Sequence, residues 1–126
     1  MPHIIVEYTA NLSNHIDIEN LLKKINEAVI AHKEIFPIGG IRSRAYKVNH
    51  YQVADGKEND AFVHTTLKIG KGRTEKEKSD FCESIFEVIK DHFNAYAAHS
   101  YLALSLELFE FHHKTYKSNN IHHRFS

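Results

Sequence analysis

The order of strand-like and helix-like segments constrains the fold of this chain more than any other feature of its sequence. "HIIVEYT" at 3–9 is short and rich in β-branched residues, which is typical of a strand. Apolar residues then recur at helical spacing from Ile18, and Asp17 is placed to cap that helix. After the break at "IFPIGG", the alternating "IRSRAYKV" predicts a strand that could continue from Ile41 to Val53. Residues 2–58 are therefore predicted to form a β-α-β unit.

The same order of elements recurs over residues 61–111. "AFVHTTLKI" (61–69) predicts a third strand, and Thr74 with Glu77 has the spacing of a capping box at the start of a long helix. "YLALSLELFEF" (101–111) predicts a fourth strand, and residues 112–126 are expected to form a polar tail or a short hairpin. The side chains expected on the buried side of the long helix are Phe81, Cys82, Ile85, Ile89 and Phe93, with Tyr96 near its end.

Two β-α-β units in 126 residues predict a single domain of the α/β class, in an α+β two-layer arrangement. This domain would span residues 1–126, with a pseudo-repeat of 2–58 and 61–111 and a C-terminal tail at 112–126. Two topologies share the order. One is the ferredoxin-like split arrangement, and in the other each unit is a parallel pair of strands with its own crossover helix. The order of elements alone does not distinguish them.

Charge and composition narrow the expected partners. Sixteen basic residues balance sixteen acidic ones, so neither nucleic acid nor a membrane surface is expected as a partner. The chain has no apolar run near the roughly 18 residues of a membrane span, and its start does not resemble a signal peptide. We therefore expect a cytoplasmic protein, with the single cysteine, Cys82, as a small core residue. The eleven histidines show no H-E-x-x-H pattern, so no metal site is expected.

A candidate site arises at the chain's beginning, where proline follows the initiator methionine. Removal of Met1 would leave the nitrogen of Pro2 as a free secondary amine. If each unit is a parallel β-α-β, then Arg42 begins its strand beside Pro2. If the second unit is turned end for end, its first strand ends at the same edge and brings Arg73 there. One edge would then hold a base and two guanidinium groups, which suit an acidic substrate.

Each of these residues also has an interpretation without chemistry. Proline is tolerated at the first residue of a strand, where no ladder hydrogen bond is lost. Arginines at strand ends commonly interact only with solvent. The residues taken one at a time therefore leave open whether the edge is catalytic.

Longer motifs bear on this question. The chain contains "IFPIGGIRSR", "ADG" and "AFVHTTLKIGKGR", together with "MPHIIVE" at its start and "NNIHHRF" near its end. With these motifs it resembles the 5-carboxymethyl-2-hydroxymuconate Δ-isomerase family of the tautomerase superfamily over essentially its full length.

That resemblance implies a tautomerase-like mixed four-stranded sheet with two helices on one face, assembled as a homotrimer without metal or organic cofactor. It implies that Pro2, once Met1 is removed, is the catalytic base, and that Arg42 and Arg73 bind substrate and stabilise charge. Arg44 belongs to the same motif and is expected to bind substrate. The expected reaction is ketonisation of a small polycarboxylate in aromatic-acid (homoprotocatechuate) breakdown. The alternatives are a tautomerase-like protein with another 2-hydroxymuconate or keto-enol substrate, and a non-catalytic ferredoxin-like binding module.

Overall fold

The computed structural model describes residues 2–126, and its regular elements follow the alternation of the sequence. Met1, whose removal the resemblance implies, lies outside the described residues. The strands and helices in chain order are β1 (His3–Thr9), α1 (Ile18–Ile30), β2 (Arg42–Val48), β3 (Ala61–Ile69), α2 (Glu75–Ala97) and β4 (Leu102–Glu110). Short 3₁₀ turns lie at Ala10–Leu12, Ile38–Gly40 and Asn120–Phe125.

The four strands form one mixed sheet in the order β2-β1-β3-β4. β1 and β2 are parallel and adjacent, as are β3 and β4, so each β-α-β unit keeps its two strands side by side. The two units meet through the antiparallel pairing of β1 with β3. In the split ferredoxin-like arrangement the two strands of a unit would not be neighbours. The topology is therefore the second of the two that the sequence left open.

Both helices pack on the same face of the sheet, because alternate strand residues on that side are apolar. Asp17 caps α1 by accepting a hydrogen bond from the N–H of Asn20, and Thr74 and Glu77 complete the predicted capping box of α2. The core between the two layers consists mainly of Ile4, Val6, Val63 and Leu67 from the strands and Leu21, Ile25, Val29, Phe81, Ile85, Ile89 and Phe93 from the helices. We call the other side of the sheet the open face.

The predicted second strand was too long, since β2 ends at Val48 rather than continuing to Val53. Val48 pairs with Thr9, the last residue of β1, and the chain then turns away into Ala10–Leu12. Residues 49–53 consequently have no partner strand for a backbone ladder. The prediction that Cys82 lies in the core was also only partly right. Its side chain is half-buried against the core, and burial raises the pKa of the thiol.

The C-terminal tail does not form the short hairpin that was one expectation. It ends in the 3₁₀ turn Asn120–Phe125, which packs against Ile38–Gly40. Asn119 fixes this contact, because its Nδ2 donates to the carbonyl of Gly39 at 2.8 Å. A Cβ at Gly39 would lie 2.7 Å from Nδ1 of His122, so only glycine permits this close approach. Among residues 2–126, no helix is both long and apolar enough to cross a membrane.

Candidate active site

One end of the sheet brings together the candidate site residues that the sequence suggested. β1 and β2 begin there, and β3 ends there, because Lys68 of the antiparallel β3 lies opposite His3. Pro2 is buried at this end. The backbone N–H of Arg42 donates to the carbonyl of Pro2 at 3.1 Å, so the two residues are in direct contact. The parallel β1–β2 pairing thus places Arg42 beside Pro2.

Arg73 lies in the loop between β3 and α2, directly before the capping residue Thr74. Its Nη1 donates to the carbonyl of Gly70 at 3.0 Å, and its Nη2 donates to the carbonyl of Ile35 at 2.9 Å. The guanidinium also lies over the ring of Phe36, 4.6 Å from the centroid. These contacts orient the group while using two of its five N–H donors, so the others can bind a carboxylate.

Arg42 and Arg44 belong to the open face. Between them, Ser43 donates a hydrogen bond to Asn26 of α1 at 2.7 Å and therefore points toward the helices. Because side chains alternate along a strand, its two neighbours point away from the helices. Nη1 of Arg42 donates to the carbonyl of Gly40 at 3.3 Å. Within residues 2–126, Arg42, Arg44 and Arg73 thus share the edge but no common hydrogen-bond partner.

His3 is a further residue of the candidate site, and no sequence motif indicated it. Its Nδ1 accepts a hydrogen bond from Nη1 of Arg44 at 3.1 Å, which requires that this nitrogen carry no proton. Burial lowers the pKa of His3, and the charges of Arg44 and Arg42 lower it further. His3 is therefore a neutral acceptor that orients Arg44. The sequence indicated only that His3 follows Pro2 directly, whereas its contact with Arg44 depends on the register between β1 and β2.

A cleft of ≈ 430 Å³ opens beside Arg73 between the end of β3 and the segment that follows β4. We call it the basic cleft, because four lysine or arginine residues line it and no carboxylate does. Its lining residues are Gly70, Lys71, Arg73, Phe111, His112, His113, Lys114, Thr115 and Lys117. The sequence pattern predicts residues 112–117 only as part of a polar tail or a short hairpin. Across residues 2–126, no group of three or more His, Cys, Asp and Glu side chains could hold a metal ion.

Comparison with known proteins identifies the family of this chain. The family model "CHMI: 5-carboxymethyl-2-hydroxymuconate isomerase" matches residues 2–125. This chain belongs to that family. The 5-carboxymethyl-2-hydroxymuconate Delta-isomerase of Escherichia coli is 44% identical over 123 residues, covering 97% of this chain and 97% of the relative. The resemblance seen in the sequence motifs is confirmed.

Solved structures show the same fold. A 5-carboxymethyl-2-hydroxymuconate isomerase from Deinococcus radiodurans R1 matches with a TM-score of 0.94 and 46% identity, over 99% of this chain and 94% of that chain. The "Q0 fused 4-OT wild type symmetric trimer" matches with a TM-score of 0.66 and 12% identity, over 93% of each chain, which concerns the fold alone. The expected tautomerase-like fold, a mixed four-stranded sheet with two helices on one face, is confirmed.

The lowered pKa of His3 predicts how stability changes with pH. Below about 6.5, the ordinary pKa of histidine, the unfolded chain binds a proton more readily than folded His3 does. The free energy of unfolding should therefore fall as the pH drops from 7.5, and this loss should level off below the folded pKa. His92, whose pKa is lowered first by burial and then by Lys24, contributes in the same direction.

The measurement is the melting temperature between pH 7.5 and 5 at constant protein concentration. His3→Asn retains an acceptor for Arg44 without a titrating ring, so its melting temperature should depend less on pH than that of the wild type. The exposed His50 supplies the matched control His50→Asn, which should follow the wild type. Equal pH dependence in His3→Asn and the wild type would contradict the assigned neutral state of His3.

Proposed function

We propose that this protein is a cofactor-independent isomerase that ketonises 5-carboxymethyl-2-hydroxymuconate, with Pro2 as the base, in the breakdown of homoprotocatechuate. The observation that carries the proposal is the position of Pro2. It is buried and hydrogen-bonded to the backbone of Arg42 at the sheet end where Arg73 precedes α2. Membership of the isomerase family and the activity named for the Escherichia coli relative support the same reaction.

Pro2 can act as a base only after Met1 is removed, because an amide nitrogen does not accept a proton. An ordinary α-amino group has a pKa of about 7.7–8.0, and a secondary amine is more basic. To be neutral at physiological pH, its pKa must fall by about two to three units, a shift within the range that burial and nearby charge produce. Pro2 is buried beside Arg42, and both features disfavour the protonated amine.

The proposed reaction moves one proton and three electron pairs. The nitrogen of Pro2 takes the proton from the 2-hydroxyl, and the electrons of that O–H bond form the C2=O double bond. The C2=C3 pair shifts to C3=C4, and the C4=C5 pair takes the proton at C5 from the protonated proline. The product is the conjugated 2-keto isomer, and Pro2 returns to its neutral state. No oxidant, reductant or metal enters this balance.

The arginines supply the positive charge that the dienolate intermediate requires. Arg73 is oriented by Gly70, Ile35 and Phe36, so a carboxylate or developing oxyanion meets a guanidinium that is already in place. Arg42 provides a second charge at this end of the sheet, where its backbone bonds Pro2 and its guanidinium bonds the carbonyl of Gly40. Arg44, oriented by His3, is assigned to substrate binding from the open face.

A homotrimer is part of the proposal, with the open faces packed around a central axis. Tyr46 and Phe109 lie on this face with 56% and 48% of their surface exposed, so a neighbouring subunit on the open face would remove aromatic surface from water. The solved symmetric trimer with the same fold supports this arrangement. Such packing would place Arg42 and Arg44 at the contacts between subunits.

Replacement of an open-face aromatic should break the trimer. Phe109→Glu replaces an apolar side chain by a charge that the proposed contact between subunits would bury, so a light-scattering mass near one chain is expected instead of a mass near three. Phe125→Glu is the control, because Phe125 is also 48% exposed but lies in the C-terminal 3₁₀ turn rather than on the open face. A wild-type mass of a single chain would contradict the proposed assembly.

Replacement of Pro2 should remove most of the catalysis. Pro2→Ala leaves a primary amine with a different position and basicity, and kcat should fall by about 10²-fold, as expected for loss of a general base. The assay follows the absorbance of 2-hydroxymuconates, and an intact mass establishes that Met1 is absent. Protein that retains Met1 has the same side chains with a blocked nitrogen, so it should be inactive. Normal turnover by either protein would rule out Pro2 as the base.

Catalysis should require the guanidinium group of Arg73 and not only its positive charge. Arg73→Lys retains the charge but loses the fork that bonds two carbonyls and stacks on Phe36, so kcat/KM should fall about 10–100-fold. Arg124 also stacks on a phenylalanine, Phe125, at 5.1 Å, but outside the basic cleft. Arg124→Lys is therefore the matched control and should retain wild-type kinetics. Equal activity of the two variants would remove Arg73 from the site.

A further inference from the structure

The segment that follows β4 adds charge to the site beyond Pro2 and the arginines. From it, Lys114 and Lys117 line the basic cleft together with Lys71 and Arg73. This concentration of cations departs from the chain as a whole, which has sixteen basic and sixteen acidic residues. Within residues 2–126, none of these four cations forms an ion pair with a carboxylate. The cleft therefore has a positive potential that the protein does not neutralise.

Both ends of this segment are held in place. At its start, the N–H of Phe111 donates to the carbonyl of Ile69 at 2.9 Å, and the Phe111 ring packs edge-on to His3 at 6.4 Å. At its end, Asn119 donates to the carbonyl of Gly39 at 2.8 Å. The intervening residues 112–118 are thus kept beside the same end of the sheet as Pro2. The Nζ of Lys114 lies 5.0 Å from the centroid of the Tyr116 ring.

We propose that Lys114 and Lys117 bind a third carboxylate of the substrate and make the basic cleft selective for tricarboxylates over dicarboxylates. This inference rests on the proposed function, whose substrate carries a carboxymethyl group in addition to the two carboxylates of the muconate chain. Arg73, fixed by two carbonyls, binds a carboxylate near the reacting atoms. The lysines lie on the segment beyond Phe111 and extend the positive charge away from that point.

The chemistry of the two residue types fits this division. A guanidinium held by two carbonyls presents its remaining donors in one direction, which suits a group whose position decides the reaction. An ammonium on a flexible stem is a point charge that can follow a mobile carboxymethyl group. The cleft of ≈ 430 Å³ is large enough for a small polycarboxylate, since ligand sites commonly span about 300–1,000 Å³.

The first test measures selectivity in turnover with the double variant Lys114→Gln/Lys117→Gln. Its kcat/KM for 5-carboxymethyl-2-hydroxymuconate should fall about tenfold, mainly through KM, as expected for the loss of two partly exposed ion pairs. For 2-hydroxymuconate, which lacks the carboxymethyl group, the change should be less than about twofold. Lys33→Gln/Lys57→Gln removes the same charge from exposed positions outside the basic cleft, so its kcat/KM for both substrates should equal that of the wild type.

The second test needs no turnover. Isothermal titration calorimetry compares propane-1,2,3-tricarboxylate with pentanedioate on the wild type and on the double variant. The wild type should bind the tricarboxylate more tightly, and the double variant should lose most of that preference.

The two tests separate this inference from the proposed function. Equal losses for both substrates, an unchanged substrate ratio, or a wild type without preference in calorimetry would each overturn the role of Lys114 and Lys117. A wild type that prefers the tricarboxylate but does not isomerise would overturn the proposed function and support the selectivity. A wild type that isomerises normally without any preference would overturn the selectivity alone.

Discussion

The antiparallel pairing of β1 with β3 is the interaction on which the rest of the molecule depends. Each β-α-β unit alone would place only its own strand starts at one edge. Because β3 runs against β1, with Lys68 opposite His3, the loop that carries Arg73 reaches the edge where Pro2 precedes β1 and Arg42 begins β2. The start of α2 and the end of β4 come to this edge for the same reason. A parallel β1–β3 pairing would have put Arg73 at the far end of the sheet.

The surroundings of each cation decide what it can do. Arg73 is fixed by backbone carbonyls and an aromatic ring, which leave its positive charge intact because none of these partners is an anion. Arg44 is likewise oriented by a neutral partner, since burial and adjacent charge keep His3 unprotonated. A carboxylate at either position would have neutralised the charge that an acidic substrate needs. At this edge, Arg73 and Arg44 are therefore both oriented by uncharged partners, which leave their positive charge available to a substrate.

Local patterns were enough to predict most of the elements, but the edge followed from them only if each unit was parallel and the second was turned end for end, as the β1–β3 pairing shows. The caps at Asp17 and Thr74 are local hydrogen bonds, so a few neighbouring residues specify them. The tail was not predictable in the same way, because its position depends on a hydrogen bond between Asn119 and Gly39, two residues that are far apart in the sequence. His3 was missed for a related reason. Its neutral state follows from the register that places Arg44 beside it, and no pattern within β1 indicates that register.

The positive charge of the edge has consequences for both binding and basicity under the proposed function. Nearby guanidinium and ammonium groups disfavour a second positive charge, so they help keep a free Pro2 amine neutral before substrate arrives. The carboxylates of a bound substrate offset that charge and so raise the pKa of the amine within the complex. Pro2 would then accept the hydroxyl proton more readily once the substrate is in place. The negative charges of a polyanionic substrate therefore have two effects at this edge. They favour binding, and they raise the basicity of the amine that acts on the substrate.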